Sequence, residues 1–428
     1  MSSESPETPR KLLVIDASYT LEMIRERGLE QSVTCRDLDG FFEHVWSVHP
    51  FATLLTSPEW AEKYGKPVTH EIAARHTFIE GKVGRFRWLA KLFPVNFLIG
   101  QVGLFRRLRK LIEREQISAI RVGDPLYLGL FGWALARTTR IPFLIRVNAN
   151  NRDVRANTGK PLYPALLRSI RREEKIERFV FPRADMVAAP NQDNVDYAVE
   201  SGAHADRVTI FRYGNLLADE HLQEPSTRKL DTALFDRFGI EPGKYLLCIG
   251  RLIAVKFPDD TVRVLGALVK DGLDLKLVMA GDGPMREELQ ALADGLGVGD
   301  RLIFAGNLDQ KTLAQLNPNA AAVVSPLTGR ALSEAALGGA PIAAYDLDWQ
   351  GDLVRTGETG ELVPFREVEA LAAATGKLVR DRNYAARMGR AVRQRALAIL
   401  NPAELNEHER QEYTKLLARF AQSGAARP

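Results

Sequence analysis

The sequence predicts an α/β protein of two doubly wound parallel sheets, each in its own domain, and three observations carry that prediction. The chain has 428 residues, more than one ordinary core holds, so two domains of roughly 200 residues are expected. Short β-branched runs alternate with helical stretches, the pattern of parallel strands joined by crossover helices. The runs fall into two groups of five, separated by a charged, proline-bearing stretch at 216–244 that reads as the interdomain connection.

In chain order the first group is KLLVID (11–16), SAIRV (118–122), PFLIRV (142–147), DMVAAP (185–190) and VTIFR (208–212). The second is YLLCIG (245–250), LKLVMA (275–280), RLIFAG (301–306), AAVVSP (321–326) and PIAAYD (341–346). Beyond them, 361–400 reads as continuously helical, and a final helix restarts after Pro402 and runs over 403–421. The expected division is 1–222, 223–402 and a terminal helical segment, 403–428. The opening MSSESPETPR reads as a polar tail without the apolar segment of a signal peptide.

Hydrophobic residues at 45% and charged residues at 26% describe an ordinary soluble globular chain. The net charge of +4 is mildly basic and suits anionic ligands or a membrane surface. Cys35 and Cys248 are the two cysteines, far apart and without metal-ligand spacing, so neither a disulfide framework nor a zinc site is expected and a reducing cytoplasm fits. The longest apolar run, FPVNFLIGQVGLF, contains Asn and Gln and is too short to span a bilayer.

Doubly wound sheets bind ligands beyond the carboxyl ends of their strands, and four such ends in the second half carry informative residues. CIGRLIAVKF ends a strand at Gly250, where a ligand can approach the backbone, and follows it with Arg251 and Lys256; two cations there can clamp a diphosphate or form a solvated basic loop. LVMAGDGPMREEL ends in Gly281, Asp282 and Gly283 before Pro284, which is a good turn signal whatever the function. RLIFAGNLDQKTL has Gly306 after a strand and Asp309 placed to cap a helix. SPLTGRALSEAAL places Gly329 before a helix whose free amides form an anion pocket. Glu334, one turn inside that helix, either accepts hydrogen bonds from a ribose diol or stabilises the helix dipole.

Occurring together in chain order, these motifs resemble the family 4 glycosyltransferases of the GT-B fold, in which two Rossmann-like domains face a central cleft. The resemblance covers 243 to about 395 well, through GRLIAVK, LVMAGDGPMREEL, RLIFAGNL, LSEAALGGAPIAAYD, LVRTGETGELVPF and ARMGRAVRQRA; over the first half it is one of character. It implies that Arg251 and Lys256 hold the diphosphate of a nucleotide sugar, UDP or GDP, and that Glu334 meets the ribose. It places Gly250, Gly281, Asp282 and Gly283 near the nucleotide and the segment through Asn307 and Leu308 near the base. It further implies retention of anomeric configuration, metal-independent catalysis with no cofactor, and a last helix that packs back on the first domain. Fixed cations and helix amides can stabilise the departing diphosphate.

Two departures from the family pattern stand out. Family members usually carry a pair of glutamates eight positions apart, and the position eight before Glu334 is Pro326; Thr328 or Arg330 would have to take over the sugar contact. The glycine-rich loop often found after the first strand is replaced by IDASYTLEMIRERG, which leaves Arg25 and Gly28 to approach a phosphate or acceptor. A histidine often found in the family after a strand that begins with Ile-Pro appears here as Asn148, within RVNANNRD, which orients a hydroxyl or simply forms the NANN turn.

Residues 81–112 contain eight Lys or Arg and no acid, interleaved with Trp88 and several Phe. Such a segment docks at an anionic membrane surface or forms core-packed helices with solvated basic faces. Nucleic acid is not an expected partner, since no recognition motif accompanies the charge. The expected function is sugar transfer to a hydroxyl of a glycan or lipid-linked acceptor in cell-envelope or exopolysaccharide assembly, in the cytoplasm or on the cytoplasmic face of the membrane. A nucleotide-sugar epimerase and a catalytically poor nucleotide-sugar-binding module are the alternatives.

Overall fold

A computed structural model describes residues 10–26, 28–164, 166–212 and 219–424. The polar tail at 1–9 and the start of the connecting stretch, 216–218, lie outside the described residues. The chain divides into two compact units: Met1–Arg212 with Ala403–Pro428, and Tyr213–Pro402.

The first unit is built on an eight-stranded sheet of Lys11–Ile15 (β1), His44–His49 (β2), Val68–Ala73 (β3), His76–Glu80 (β4), Ala119–Val122 (β5), Phe143–Arg146 (β6), Met186–Ala189 (β7) and Val208–Ile210 (β8). Their order is β3-β4-β2-β1-β5-β6-β7-β8. Three of these strands, β2 to β4, escape the sequence reading, and β3 runs antiparallel to β4, so this sheet is mixed rather than purely parallel. The reason is composition. HVWSVH and HTFIE put His, Ser, Thr and Glu among their apolar residues, yet β4 is buried throughout. Part of this polar set is paired locally: Arg36 donates to Ser47 Oγ at 2.9 Å, Lys82 Nζ to Glu80 Oε1 at 2.8 Å, and the His44 ring pairs with Thr77 Oγ1 at 2.8 Å.

Strand β1 shows how the layers form. Successive side chains point to opposite faces, so Leu13 and Ile15 join the core under the helix Phe93–Glu115, while Leu12 and Val14 join the core that holds Tyr413 and Leu416. Each such leucine contributes about 2 kcal/mol by leaving water. The final helix, Pro402–Gly424, therefore belongs to the first unit: Tyr413 meets Phe42 edge-on at 4.9 Å, and Asn406 Nδ2 donates to Asp39 Oδ2 at 2.8 Å.

The second unit has a six-stranded, wholly parallel sheet of Tyr245–Ile249 (β9), Lys276–Ala280 (β10), Leu302–Gly306 (β11), Ala322–Ser325 (β12), Ile342–Asp346 (β13) and Glu361–Pro364 (β14), in the order β11-β10-β9-β12-β13-β14. The expected helix over 361–400 begins late, because its first four residues pair with β13 as an edge strand. Glu361 is buried there and accepts from Lys377 Nζ at 2.8 Å and from Tyr384 Oη. The helical part splits into Val368–Arg380 and Arg382–Ile399, the second capped by Asp381, which accepts from Tyr384 N at 2.8 Å. The short helix Asp219–Leu222, placed before the expected boundary at 222, packs within this unit instead, with His221 fully buried. Among the described residues, no helix is long and apolar enough to cross a membrane.

Candidate functional site

Each sheet has a switch point at which parallel strands lead away in opposite directions, between β1 and β5 in the first unit and between β9 and β12 in the second. The loops that leave such a pair diverge and open a crevice. Most of the residues singled out in the second half follow the carboxyl ends of β9 to β12, the edge at which the crevice of the second unit opens.

Three loops are knitted together at that edge. Gly250 N donates to Ala280 O at 2.9 Å, Gly281 N to Gly306 O at 2.8 Å, and Leu252 N to Asp282 O at 3.0 Å. A Cβ at Gly281 would sit 1.9 Å from Gly250 O, and one at Gly283 would sit 2.3 Å from Leu252 O, so both must be glycine for the loops to close. Asp282 turns its carboxylate onto Gly283 N at 2.8 Å, so it serves the turn. Asn307 is exposed, Leu308 packs on the core, and Asp309 caps the helix Gln310–Asn319 by accepting from Thr312 N at 2.7 Å. Arg286 lies over the Phe304 ring at 4.7 Å.

Lys256 ends a short 3-10 turn, Ala254–Lys256, fixed from behind by Phe257, whose ring meets Phe365 at 5.1 Å, and by Pro258 at the start of the next helix. Its Nζ comes within 3.5 Å of the point where a Cβ on Gly329 would stand, so it reaches the loop after β12. Burial lowers the pKa of this ammonium; the nearby Asp348 carboxylate offsets part of that, and Arg251 adds to it. Arg251 is exposed on the same loop. Arg251 and Lys256 repel one another, and an anion bound beside them would relieve that repulsion.

The loop from Ser325 to Gly329 is held by Gln350. Its Nε2 donates to Tyr345 O at 2.9 Å and to Ser325 O and Pro326 O at 3.2 Å, and Ser325 Oγ donates to Gln350 Oε1 at 2.6 Å. Since the Ser325 proton is committed, Thr328 donates to Ser325 Oγ at 2.6 Å and keeps its lone pairs for a ligand hydroxyl. Gly329, at φ 67°, caps the helix Arg330–Leu337 without any side chain covering its first amides.

Glu334 is 4% exposed. Burial raises its pKa, against the opposing pull of Arg330, whose Nε lies 3.4 Å from Oε1, and of a hydrogen bond with Gln310. Gln310 Oε1 in turn pairs with His221 Nε2 at 2.7 Å. Sequence reading missed Gln310, His221 and Gln350, because they approach from other elements and carry no motif. Neither did it foresee that Glu334 holds Arg330.

In the first unit the expected residues are scattered. Arg25 lies in the last turn of the helix Leu21–Glu26 and Gly28, at φ 60°, in the turn that ends it, about 9 Å along from where the helix begins. Asn148 stands at a strand end and donates to Gly123 O at 2.8 Å, and it is Asn150 that caps the following helix. The groups that flank this crevice are two carboxylates. Asp16 follows β1 and Asp124 follows β5; a Cβ on Gly123 would come 3.0 Å from Asp16 Oδ1. Burial opposes ionisation of Asp16, but Arg36 at 2.6 Å and Ser18 hold its pKa low. Burial pushes Asp124 up to about 6, although it accepts from Tyr163 Oη at 2.6 Å and Leu126 N at 2.7 Å. An acid at or just past the end of a predicted strand, in KLLVID and SAIRVGD, was the available signal.

The raised Asp124 gives a signed prediction. Between pH 3.8 and about 6 the folded protein holds a proton that the unfolded chain has released, so stability falls as pH rises through that window and is flat on either side. At 1.36 kcal/mol per pH unit the drop is at most about 3 kcal/mol. Urea unfolding of Asp124→Asn at pH 4 and pH 6.5 is expected to show a smaller pH difference than the parent; an equal difference would clear Asp124 of the effect.

Comparison with known proteins agrees with this architecture. The chain is 27% identical over 188 residues to an alpha-D-kanosaminyltransferase of Streptomyces kanamyceticus, covering 43% of this chain and 48% of that one, so the match spans about half the relative's length. It is 24% identical over 329 residues to a GDP-mannose-dependent alpha-(1-6)-phosphatidylinositol monomannoside mannosyltransferase of Mycolicibacterium smegmatis, covering 74% and 81%. In fold it is similar to a sucrose-phosphate synthase of Thermosynechococcus elongatus, with TM-score 0.72, 18% identity and coverage of 96% and 100%. It is likewise similar to HepE of Anabaena in complex with UDP, with TM-score 0.70, 16% identity and coverage of 95% and 100%. The family model described as Glycosyl transferase 4-like domain matches residues 17–214 and that described as Glycosyl transferases group 1 matches 232–395, so the chain belongs to the family 4 glycosyltransferases of the GT-B fold, an enzyme family that transfers sugars.

Proposed function

We propose that this glycosyltransferase takes its sugar from a nucleoside-diphosphate sugar, UDP- or GDP-linked, and moves it with retention of configuration to a hydroxyl of a lipid-linked or polysaccharide acceptor. The observation that carries the reading is Lys256 reaching the Gly329 loop, with Arg251 beside it and uncapped helix amides opposite. These groups neutralise the charge that accumulates on a departing diphosphate, and being fixed in advance they do so without reorganising. Thr328 accepts from a sugar hydroxyl in place of the carboxylate that Pro326 displaces. Glu334 meets the ribose diol by exchanging its bond to Arg330, which releases that guanidinium toward the phosphates. Gly250, Gly281 and Gly283 let the nucleotide lie against the backbone, and Asn307 and Leu308 border the base.

In the first unit Asp16 and Asp124 receive acceptor hydroxyls, with Asn148 supporting the loop at Gly123. A relative named as a phosphatidylinositol monomannoside mannosyltransferase supports a lipid-linked acceptor. UDP in the HepE complex and GDP-mannose in the name of that relative support the two donor classes.

The test is calorimetric titration with UDP, GDP, ADP and their common sugar conjugates. Binding of one nucleotide class is expected, weakening as pH rises through the lowered lysine pKa of Lys256, because the neutral amine no longer holds phosphate. A folded protein that binds none of them refutes the donor assignment.

A further inference from the structure

The helix Phe93–Glu115 has two different long faces. Phe97, Gln101, Leu104, Leu108 and Ile112 are buried against the sheet of the first unit. On the opposite side Val95, Leu98, Ile99 and Val102 are exposed at helical spacing, and the same stripe continues as Arg106, Arg109 and Lys110. It runs about 22 Å from Val95 to Lys110.

A second element extends the stripe. Asn96, itself buried, accepts from Arg85 N at 2.7 Å and Phe86 N at 2.9 Å and donates to Phe86 O at 2.6 Å, which fastens the preceding loop to the helix. That loop presents Phe86, Trp88 and Leu92, with Trp88 77% exposed, between Arg85, Arg87 and Lys91. Seven of the fourteen exposed large apolar side chains among the described residues therefore fall between 86 and 102. Scattered exposed leucines need no explanation, but a rigid, contiguous set of this kind marks a docking surface.

Charge selects the occupant. No Asp or Glu occurs from 81 to 112, and the first carboxylate beyond, Glu113, is paired with Arg109 at 2.9 Å. Beside the stripe a cavity of about 680 Å³ is lined by Arg106, Arg107, Lys110 and Arg114. We infer that the Phe86–Val102 stripe, with the cationic half of the same helix, docks this protein on an anionic lipid bilayer. The apolar side chains enter the interface, Trp88 lies at headgroup depth, and lipid phosphates meet the cationic groove. The inference deepens the lipid-linked acceptor reading, and it concerns the first unit alone.

The experiment is co-sedimentation of the full chain at low salt with vesicles of phosphatidylcholine and 30 mol% phosphatidylglycerol, beside vesicles of pure phosphatidylcholine. Expected are binding to the anionic vesicles, a blue shift in emission that Trp88→Phe removes, and loss with added salt. Leu98→Glu with Val102→Glu is expected to weaken binding at least about tenfold, and Arg106→Glu with Lys110→Glu by more, since each basic residue near such a surface is worth about fivefold. All four sites are exposed, thermal unfolding followed by circular dichroism reports whether the variants fold, and nucleotide titration reports the donor site separately, so failure here is distinguishable from failure of the transferase reading. A parent that stays in the supernatant overturns the inference, as do equal binding to neutral vesicles or full binding by the stripe variants. A parent that ignores vesicles but is a dimer dissociated by Leu98→Glu with Val102→Glu would give the face to a second copy.

Discussion

Replacing Arg251 and Lys256 by alanine is expected to raise the Kd for the preferred nucleoside diphosphate by roughly 10²- to 10⁴-fold, since each charge-assisted phosphate contact is worth about 1.5–3 kcal/mol. Stability should change little. Arg251 is exposed, and Lys256 already carries a burial cost that its removal relieves. Transfer should fall by at least as much as binding, because charge on the diphosphate grows toward the transition state and the clamp is most favourable there. Calorimetry gives the first number and kcat/KM the second. A double variant that binds nucleotide like the parent would move the diphosphate away from this loop.

The second large effect concerns folding and binding together. Gly281→Ala is expected to cost roughly 3–5 kcal/mol, the range reserved for substitutions that break a defined structural device. Its Cβ would stand 1.9 Å from Gly250 O and 2.8 Å from Gly250 C, and backbone cannot step aside as a flexible side chain can. The φ of +145° adds strain for any L residue. Gly243→Ala is the control: it too has a positive φ, +74°, but nothing lies within 4 Å of its Cβ, so it should cost only about 1 kcal/mol. Urea midpoints compare the two. Because relief of the clash must push Gly250 and hence Arg251, nucleotide affinity should fall in Gly281→Ala and not in Gly243→Ala. Equal costs for the two would mean that the loops after β9 and β10 are not locked as described.

Much of the architecture was legible in the residues. An apolar run bounded by turn residues reports burial directly, and ten of the fourteen strands among the described residues were readable for that reason. The order of Gly250, Arg251, Lys256, Gly281, Gly329 and Glu334 at successive strand ends was readable too, since a doubly wound sheet has only one edge at which loops can hold a ligand. The strands His44–His49 and His76–Glu80 were not, because His44, Ser47 and Glu80 find partners only once Thr77, Arg36 and Lys82 are brought beside them. Glu361–Pro364 was lost to the helix that follows it for a related reason, its carboxylate being acceptable inside only with Lys377 and Tyr384 against it.

By itself, then, the sequence determined the α/β class, the two sheets, the family pattern with its missing glutamate, and an acid-free basic segment at 81–112. Tertiary structure alone decided that Glu334 is tied to Arg330, Gln310 and His221, that Gln350 holds the Thr328 loop, that Asp16 and Asp124 flank the first crevice, and that Trp88 joins one continuous exposed stripe. The division has a physical cause. Periodicity and turn chemistry are written in neighbours along the chain, whereas a buried polar partner is set by strand order and packing between residues far apart in sequence, which no local pattern encodes.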